Sequence, residues 1–254
     1  MKINRVTIVA PILIGLLFGC ARSPAPAEKP ATTDFSGLWQ VADSDYVRRP
    51  DVFAVESDYT AKAWANLQIL KSLSDGEPAD PAKFCTPGGM PHTVLTRARD
   101  YVFEIHQYPS ELIFFAEYMD QTRVVHLDVK PIPESIAPSN QGYSTGHFEG
   151  SVLVVETSLL KARNPVDRMQ RSDQARISER WSRRSDPKFG EVIDIDVTVT
   201  DPEVFRNPIK GRQMLKRAPP DAVRNEYGCT DALWNDYVAE RLAKKTRVEK
   251  GAPR

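Results

Sequence analysis

Alternation of apolar and polar residues with a period of two dominates the middle and C-terminal parts of the chain. It is clearest in residues 142–157, GYSTGHFEGSVLVVET, where Gly146, Gly150 and short polar residues make a tight lead into a run. In that run Val152, Val154 and Glu156 face one way and Leu153, Val155 and Thr157 the other. Clustered β-branched residues and the lack of a 3.6-residue stripe argue against a helix there. The same alternation predicts strands at 34–41, 92–96, 101–107, 111–118 and 121–128. The last three form an antiparallel meander with reversals at Pro109-Ser110 and Asp120. Further strands are expected at 175–183, 191–200 and 209–215; in the second of these Ile193, Ile195, Val197 and Val199 share one face and Asp194, Asp196 and Thr198 the other.

Helical spacing appears twice, at 57–74 with Ala63, Leu67 and Leu70 along one side flanked by Trp64, and at 231–245 with Leu233, Trp234, Tyr237, Val238 and Leu242 inward. Residues 77–91, EPADPAKFCTPGGMP, hold four prolines and two adjacent glycines and form a constrained connection. The predicted fold class is therefore mainly β, a curled antiparallel sheet or small β-barrel of about seven to nine strands with one or two accessory helices. Curling solves the exposed-edge problem. A flat two-sheet sandwich is the alternative.

The N-terminus changes the picture of location. Lys2 and Arg5 precede an uncharged, largely apolar stretch of 13 residues from Val6 to Phe18, then Gly19-Cys20. That is an export signal, too short for a membrane span. Leu17-Phe18-Gly19-Cys20 also resembles a bacterial lipoprotein processing box, and the resemblance implies cleavage before Cys20 and lipid on that residue. The expected organisation is a signal peptide at 1–19, lipidated Cys20 with a Pro- and Ala-rich tether through 33, one β-rich domain at 34–245 and a charged tail at 246–254. The expected place is the bacterial cell envelope, lipid-anchored to the outer membrane and facing the periplasm, although inner and outer membranes are not distinguished by sequence.

The chain has 254 residues with 34 basic and 34 acidic side chains; loss of residues 1–19 leaves 32 against 34. Such a balance excludes a broad nucleic-acid surface. There are three cysteines, and with Cys20 carrying lipid, Cys85 and Cys229 are the pair available for a disulfide in an oxidising compartment. No GxGxxG, P-loop or metal-binding CxxC occurs, so no cofactor is expected.

Phe35-Ser36-Gly37-Leu38-Trp39 contains a Gly-x-Trp of the kind seen at the start of lipocalin-like barrels, where the Trp closes the base of the core. Together with Cys85-Thr86-Pro87-Gly88-Gly89-Met90-Pro91, the run GYSTGHFEGSVLVVET, ISERWSR, VTVTDPEVFRNP and the final EYGC, it resembles a widespread group of uncharacterised secreted bacterial proteins. The resemblance covers most of residues 34–229 and implies a β-rich, lipocalin-like domain; this chain departs from the pattern at His147, Phe148, Ser151, Glu156 and Trp181. The group carries no assigned chemistry.

Candidate chemistry rests on four histidines, His92, His106, His126 and His147. His106 shares a strand face with Glu104, and His126 shares one with Asp128. Glu117 lies across the meander. A His–carboxylate pair facing the barrel interior would fix the imidazole tautomer and tune it for proton transfer. Tyr101, Phe103 and Ile105 make an equally good inward face, which would put Glu104 and His106 outside. His147 sits beside Gly146 near a turn. The histidines lack close metal spacing, so no metal site is expected. Gly142-Tyr143-Ser144-Thr145-Gly146 matches GxSxG, but a loop precedes the serine and a strand follows, which is the wrong context for a nucleophile elbow. Glu149, Glu156 and Glu179 are candidate ion-pair partners for Arg123, Arg176 or Arg180, with pairing on the sheet surface favoured over burial. The arginines spread over 161–184 form a solvated face or an anion contact.

The function that best joins these features is binding of a small, partly apolar molecule inside an envelope-anchored barrel that encloses usable volume. Alternatives are an enzyme using a His–carboxylate pair on a hydrophobic molecule, and a structural or assembly lipoprotein with an envelope-protein partner. Ligand identity, catalysis and oligomeric state are left open by the sequence.

Overall fold

The computed structural model describes residues 33–42, 54–73, 85–96, 99–129, 132–163, 170–227 and 232–249. Nine strands among them are β1 (Gly37–Val41), β2 (Phe103–Gln107), β3 (Glu111–Ala116), β4 (Gln121–Leu127), β5 (Tyr143–Glu149), β6 (Val152–Ser158), β7 (Arg176–Asp186), β8 (Gly190–Thr200) and β9 (Ile209–Arg217). They pair in chain order, and β9 pairs back onto β1, so the sheet closes. This closure excludes the flat sandwich. Two helices, α1 (Ala61–Leu73) and α2 (Ala232–Glu249), complete a small lipocalin-like barrel with accessory helices. The expected signal peptide, Cys20 and all but the last residue of the tether lie outside the described residues, as does Cys229.

Several features differ from the sequence reading. Every neighbouring pair is antiparallel except β4 and β5, which run parallel with Val125 opposite Ser144 and Leu127 opposite Gly146. Residues 92–96, expected as a strand, are turns, with Leu95 N donating to Pro91 O at 2.9 Å and Thr93 N to Gly89 O at 2.9 Å. Helix-type i to i−4 bonds close there because adjacent Val94 and Leu95 are both buried, which no strand facing a single core allows. Residues 143–149, read as a lead-in, are instead β5. Ser144 and Gly146 on its inward face are small because Val125, Leu127 and Leu153 crowd that stretch, where a Cβ on Gly146 would lie 2.9 Å from Val125 Cγ1, while Phe148 further along the same face packs on Phe35. The second helix also continues to Glu249, into the segment expected as a tail, and Leu242, expected inward, is 42% exposed.

The registers give the barrel two unlike ends. At one end lie the short turns β2–β3, β5–β6 and β7–β8. The β3–β4 turn and the long connections β1–β2, β6–β7 and β8–β9 lie at the other. Trp39 seals the short-turn end. Its indole Nε1 donates to Phe35 O at 3.0 Å, and the Arg217 guanidinium lies 3.9 Å from its ring centroid while donating to Ser36 O at 3.0 Å. Gly37 has φ +128°, a backbone conformation that L side chains rarely adopt, and a Cβ there would stand 2.1 Å from Arg217 Nη1 and push the guanidinium aside. From Ala218, whose N–H bonds Leu38 O, the chain runs back outside β2 and β3 to Tyr227, which donates to Asp120.

Candidate functional site

Inside the barrel, aromatic and aliphatic side chains fill the space between the walls. Phe35, Trp39, Phe114, Leu153 and Trp181 are all fully buried, and Trp181 meets Phe35 and Phe114 edge-on at 6.0 and 5.7 Å. A closed, apolar-walled barrel is compatible with holding a small apolar molecule. In this conformation the described walls pack on one another, and the expected open interior volume is taken by the chain's own groups.

One polar belt crosses this core on β4, β5, β6 and β7. Arg123 Nη2 and Nη1 donate to Glu179 Oε1 and Oε2 at 2.6 and 3.0 Å, Nε donates to Ser144 Oγ at 3.0 Å, and Nη2 also reaches Thr157 Oγ1 at 2.8 Å. Trp181 Nε1 completes the Glu179 shell at 2.9 Å. All five side chains are buried. Each charge is therefore matched by bidentate, directional bonds, the condition under which a buried ion pair survives desolvation. Ser144 Oγ is shared between Arg123 and Thr157 (2.9 Å), with no histidine on it, so it is a structural hydroxyl.

The predicted acid–base candidates do not meet in the lumen. Phe103 and Ile105 point inward, and Glu104 and His106 lie on the outer wall, bonded to each other at 2.9 Å. Glu104 also accepts from Arg224 Nε at 2.8 Å, and that bond, with a smaller share from His106, holds its carboxyl below the ordinary range against desolvation. His126 stacks on Tyr143 at 4.6 Å, also outside, while Asp128 is an exposed turn residue with φ +57°. His147 pairs with Glu149 at 3.4 Å on the surface, and Arg180 is the main cause of the lowered Glu149 carboxyl. Glu117 is buried but serves the backbone, accepting from Val102 N at 2.8 Å and from Asn225 Nδ2 at 3.0 Å. Thus Glu104, His106, Glu117, His126, Asp128 and His147 form no common catalytic cavity. Among the described residues no three His, Cys, Asp or Glu side chains are placed to hold a metal.

What gathers at the long-connection end is different. Residues 85–96 enter the mouth as a plug: Met90, Val94 and Leu95 join the barrel core. Two inward glutamines grip it. Gln121 Oε1 accepts from Gly89 N and Thr93 Oγ1, both at 3.0 Å, and Gln213 Nε2 donates to Thr96 O at 3.2 Å. Gly89, at φ +62°, donates where a Cβ would stand 2.3 Å from Asn140 O. Two arginines clasp the outside. Arg163 Nη1 donates to Pro87 O and Gly88 O at 2.5 and 3.0 Å, and Arg171 donates to Met90 O and to Lys161 O. Among the described residues, two buried acceptors here, Thr86 Oγ1 and Gln213 Oε1, have no hydrogen-bond partner.

Beside the clasp lies a cleft of about 360 Å³. Lys62, Ala63 and Asn66 of α1 form one wall, Ala162 and Arg163 with Gln170 to Asp173 another, and Glu203 with Val204 a third. Gln170 Nε2 donates to Ala63 O at 2.9 Å, and Ser172 is fixed by Asp201 through its N–H and hydroxyl at 2.8 and 2.6 Å. Its walls are thus pinned to α1 and the β8–β9 turn. Further along the arginine-rich stretch Arg180 bonds Glu149, Arg183 bonds Glu191, Arg184 bonds Asp186 and Asp194, and Arg176 donates to Ala175 O. Arg168 lies outside the described residues.

No protein-family model matches the chain, and no curated protein matches it. The chain is similar to a solved structure, the crystal structure of a point mutant of the fluorescent protein UnaG, at 14% identity over 72% of this chain and 96% of that one, with a TM-score of 0.32. The barrel assignment rests on the strand pairing alone.

Proposed function

We propose that this protein is an envelope-anchored lipoprotein that binds a small, partly apolar molecule at the mouth of its barrel. The observation that carries the reading is the cleft of about 360 Å³ at the end where the long connections converge. Ala63 and Val204 give it an apolar floor continuous with the core, while Lys62, Asn66 and Asp173 give it a polar rim. An amphipathic molecule fits that division of surface. Export and anchoring follow from Lys2, Arg5, the apolar stretch to Phe18 and Cys20. The motifs shared with secreted bacterial proteins support the same location.

Native mass spectrometry of protein purified from membranes, followed by extraction of the retained molecule, tests this reading. A stoichiometric small molecule that is lost in Ala162→Trp, a change at an exposed wall residue that fills the cleft, is the expected result. Retention of the same molecule by Ala162→Trp overturns the site, and recovery of a stoichiometric protein partner without any small molecule overturns the function in favour of an assembly role.

A further inference from the structure

We propose that the cleft receives the anionic head of an amphipathic molecule, and that this head unclasps the plug from the barrel mouth. The inference rests on the mouth being the binding site and adds the ligand class and the consequence of binding. Arg163 and Arg171 line the cleft, and the same two guanidinium groups hold the plug, through Pro87 O and Gly88 O for the first and Met90 O for the second. Cleft and plug therefore share donors.

A carboxylate or phosphate entering the cleft competes with neutral carbonyls for these N–H groups. Charge-assisted hydrogen bonds to an anion are roughly twice as strong as bonds to a neutral acceptor, and a planar guanidinium suits a two-oxygen head. Lys62, on the facing wall and with no ion-pair partner among the described residues, adds a third cation. Asp173 and Glu203 also line the cleft; Asp173 is solvent-exposed and Glu203 accepts from Gln174 Nε2 at 2.8 Å.

Release of the plug is favoured by how it is seated. Thr86 Oγ1 in the plug and Gln213 Oε1 in its seat are buried with no hydrogen-bond partner among the described residues, a burden that solvent removes once the plug lifts. Lifting it uncovers the apolar walls that Met90, Val94 and Leu95 now occupy. The ligand's apolar part then enters the lumen as its head holds the arginines. A neutral apolar molecule lacks the means to open the clasp.

The test titrates the full chain with two fluorescent probes of similar apolar body, 8-anilinonaphthalene-1-sulfonate, which is anionic, and N-phenyl-1-naphthylamine, which is neutral. The expected result is saturable one-to-one binding of the anionic probe, displaced by decanoate or decyl phosphate but not by decanol. The more effective of the two anions identifies the head group. Lys62→Gln, which touches no plug residue, should weaken the anionic probe several-fold, and Arg163→Gln by about tenfold or more. Hydrogen exchange at the Gly89 and Met90 amides should rise when decanoate binds and stay constant with decanol. Equal affinity for the two probes, or plug exchange that is unchanged or slowed by decanoate, overturns the proposal. Probe binding that is abolished by Ala162→Trp in those same circumstances leaves the mouth as a site while removing its anion selectivity; binding indifferent to Ala162→Trp removes the site itself.

Discussion

The Arg123 guanidinium and the Glu179 carboxylate face each other across the barrel core with two bonds of 2.6 and 3.0 Å, and both side chains are fully buried. Removing one partner leaves the other as an uncompensated charge. Arg123→Met and Glu179→Leu should therefore each destabilise the fold by about 3–5 kcal/mol, while the double change Arg123→Met with Glu179→Leu should cost much less. Urea denaturation of the three variants measures this. Additive losses would mean that the pair is not coupled.

At the base of the barrel, the contact between Arg217 and Trp39 requires a glycine at 37 for two separable reasons, space and backbone. Gly37→Ala should destabilise through both, because its Cβ meets Arg217 Nη1 at 2.1 Å and φ is +128°. Arg217→Ala in the same chain should recover the steric share and leave the backbone share. Thermal melts of the single and double variants separate the two; no recovery in the double variant would assign the whole cost to backbone.

Much of this architecture is visible in the alternation of residues. In β8, Ile193, Ile195, Val197 and Val199 are all buried on the side that their period assigns. The ion pair was also within reach: Arg123 shares parity with Val125 and Leu127, and Glu179 with Ile177 and Trp181. Reading a charge as outward by default sets that parity aside. For β2 the alternation permits both orientations, since Phe103 and Ile105 alternate as well as Glu104 and His106. Only the packing of Phe103 on Phe114, 5.2 Å away on the next strand, decides it. The plug was legible as a rigid Pro- and Gly-rich connection but not as a plug. Its seat is made by Gln121, Arg163, Arg171 and Gln213, all distant in sequence, and no local pattern encodes those contacts.

Thr86 offers a test of the plug's polar burden. Its hydroxyl is buried and has no hydrogen-bond partner among the described residues, so Thr86→Val keeps the shape and removes a desolvated polar atom. Stability should rise by about 1 kcal/mol or more, with slower hydrogen exchange across residues 85–96. A loss of stability would show that the hydroxyl has a partner in solution.

Cys85 is disulfide-bonded, and the pairing expected with Cys229 would tie the plug to the segment beyond Tyr227. Intact-mass measurement should show no free thiol before reduction and two after it, apart from Cys20. Cys229→Ser should leave Cys85 titratable with a thiol reagent and lower the melting temperature. Two reactive thiols in the native protein would remove the link.

The segment after β9 is fastened to the barrel by groups that titrate at both ends of the pH scale. Glu104 binds Arg224, and this partner lowers the Glu104 carboxyl; a lowered carboxyl contributes stability above its unfolded value and loses it as pH falls through the folded one. At the other end of the same segment, Tyr227 packs on Tyr101 and Tyr118, with ring centroids 5.7 and 5.4 Å away. Desolvation, with a smaller share from Tyr101, raises its phenol. A raised phenol contributes stability that is complete below its unfolded value and lost as pH rises through the folded one. The segment should therefore be held most firmly between about pH 5 and pH 9 and loosen below about pH 4 and above about pH 10. Glu104→Gln should remove much of the acid-side loosening and leave the alkaline side unchanged, whereas Tyr227→Phe should do the reverse. Hydrogen exchange at the Ala218 and Tyr227 amides, whose acceptors are Leu38 O and the Asp120 carboxylate, follows both limbs after correction for the intrinsic pH dependence of exchange. An acid limb that survives intact in Glu104→Gln would place the titrating group elsewhere on the contact, with Glu117 and Asp120 the remaining carboxylates that touch this segment.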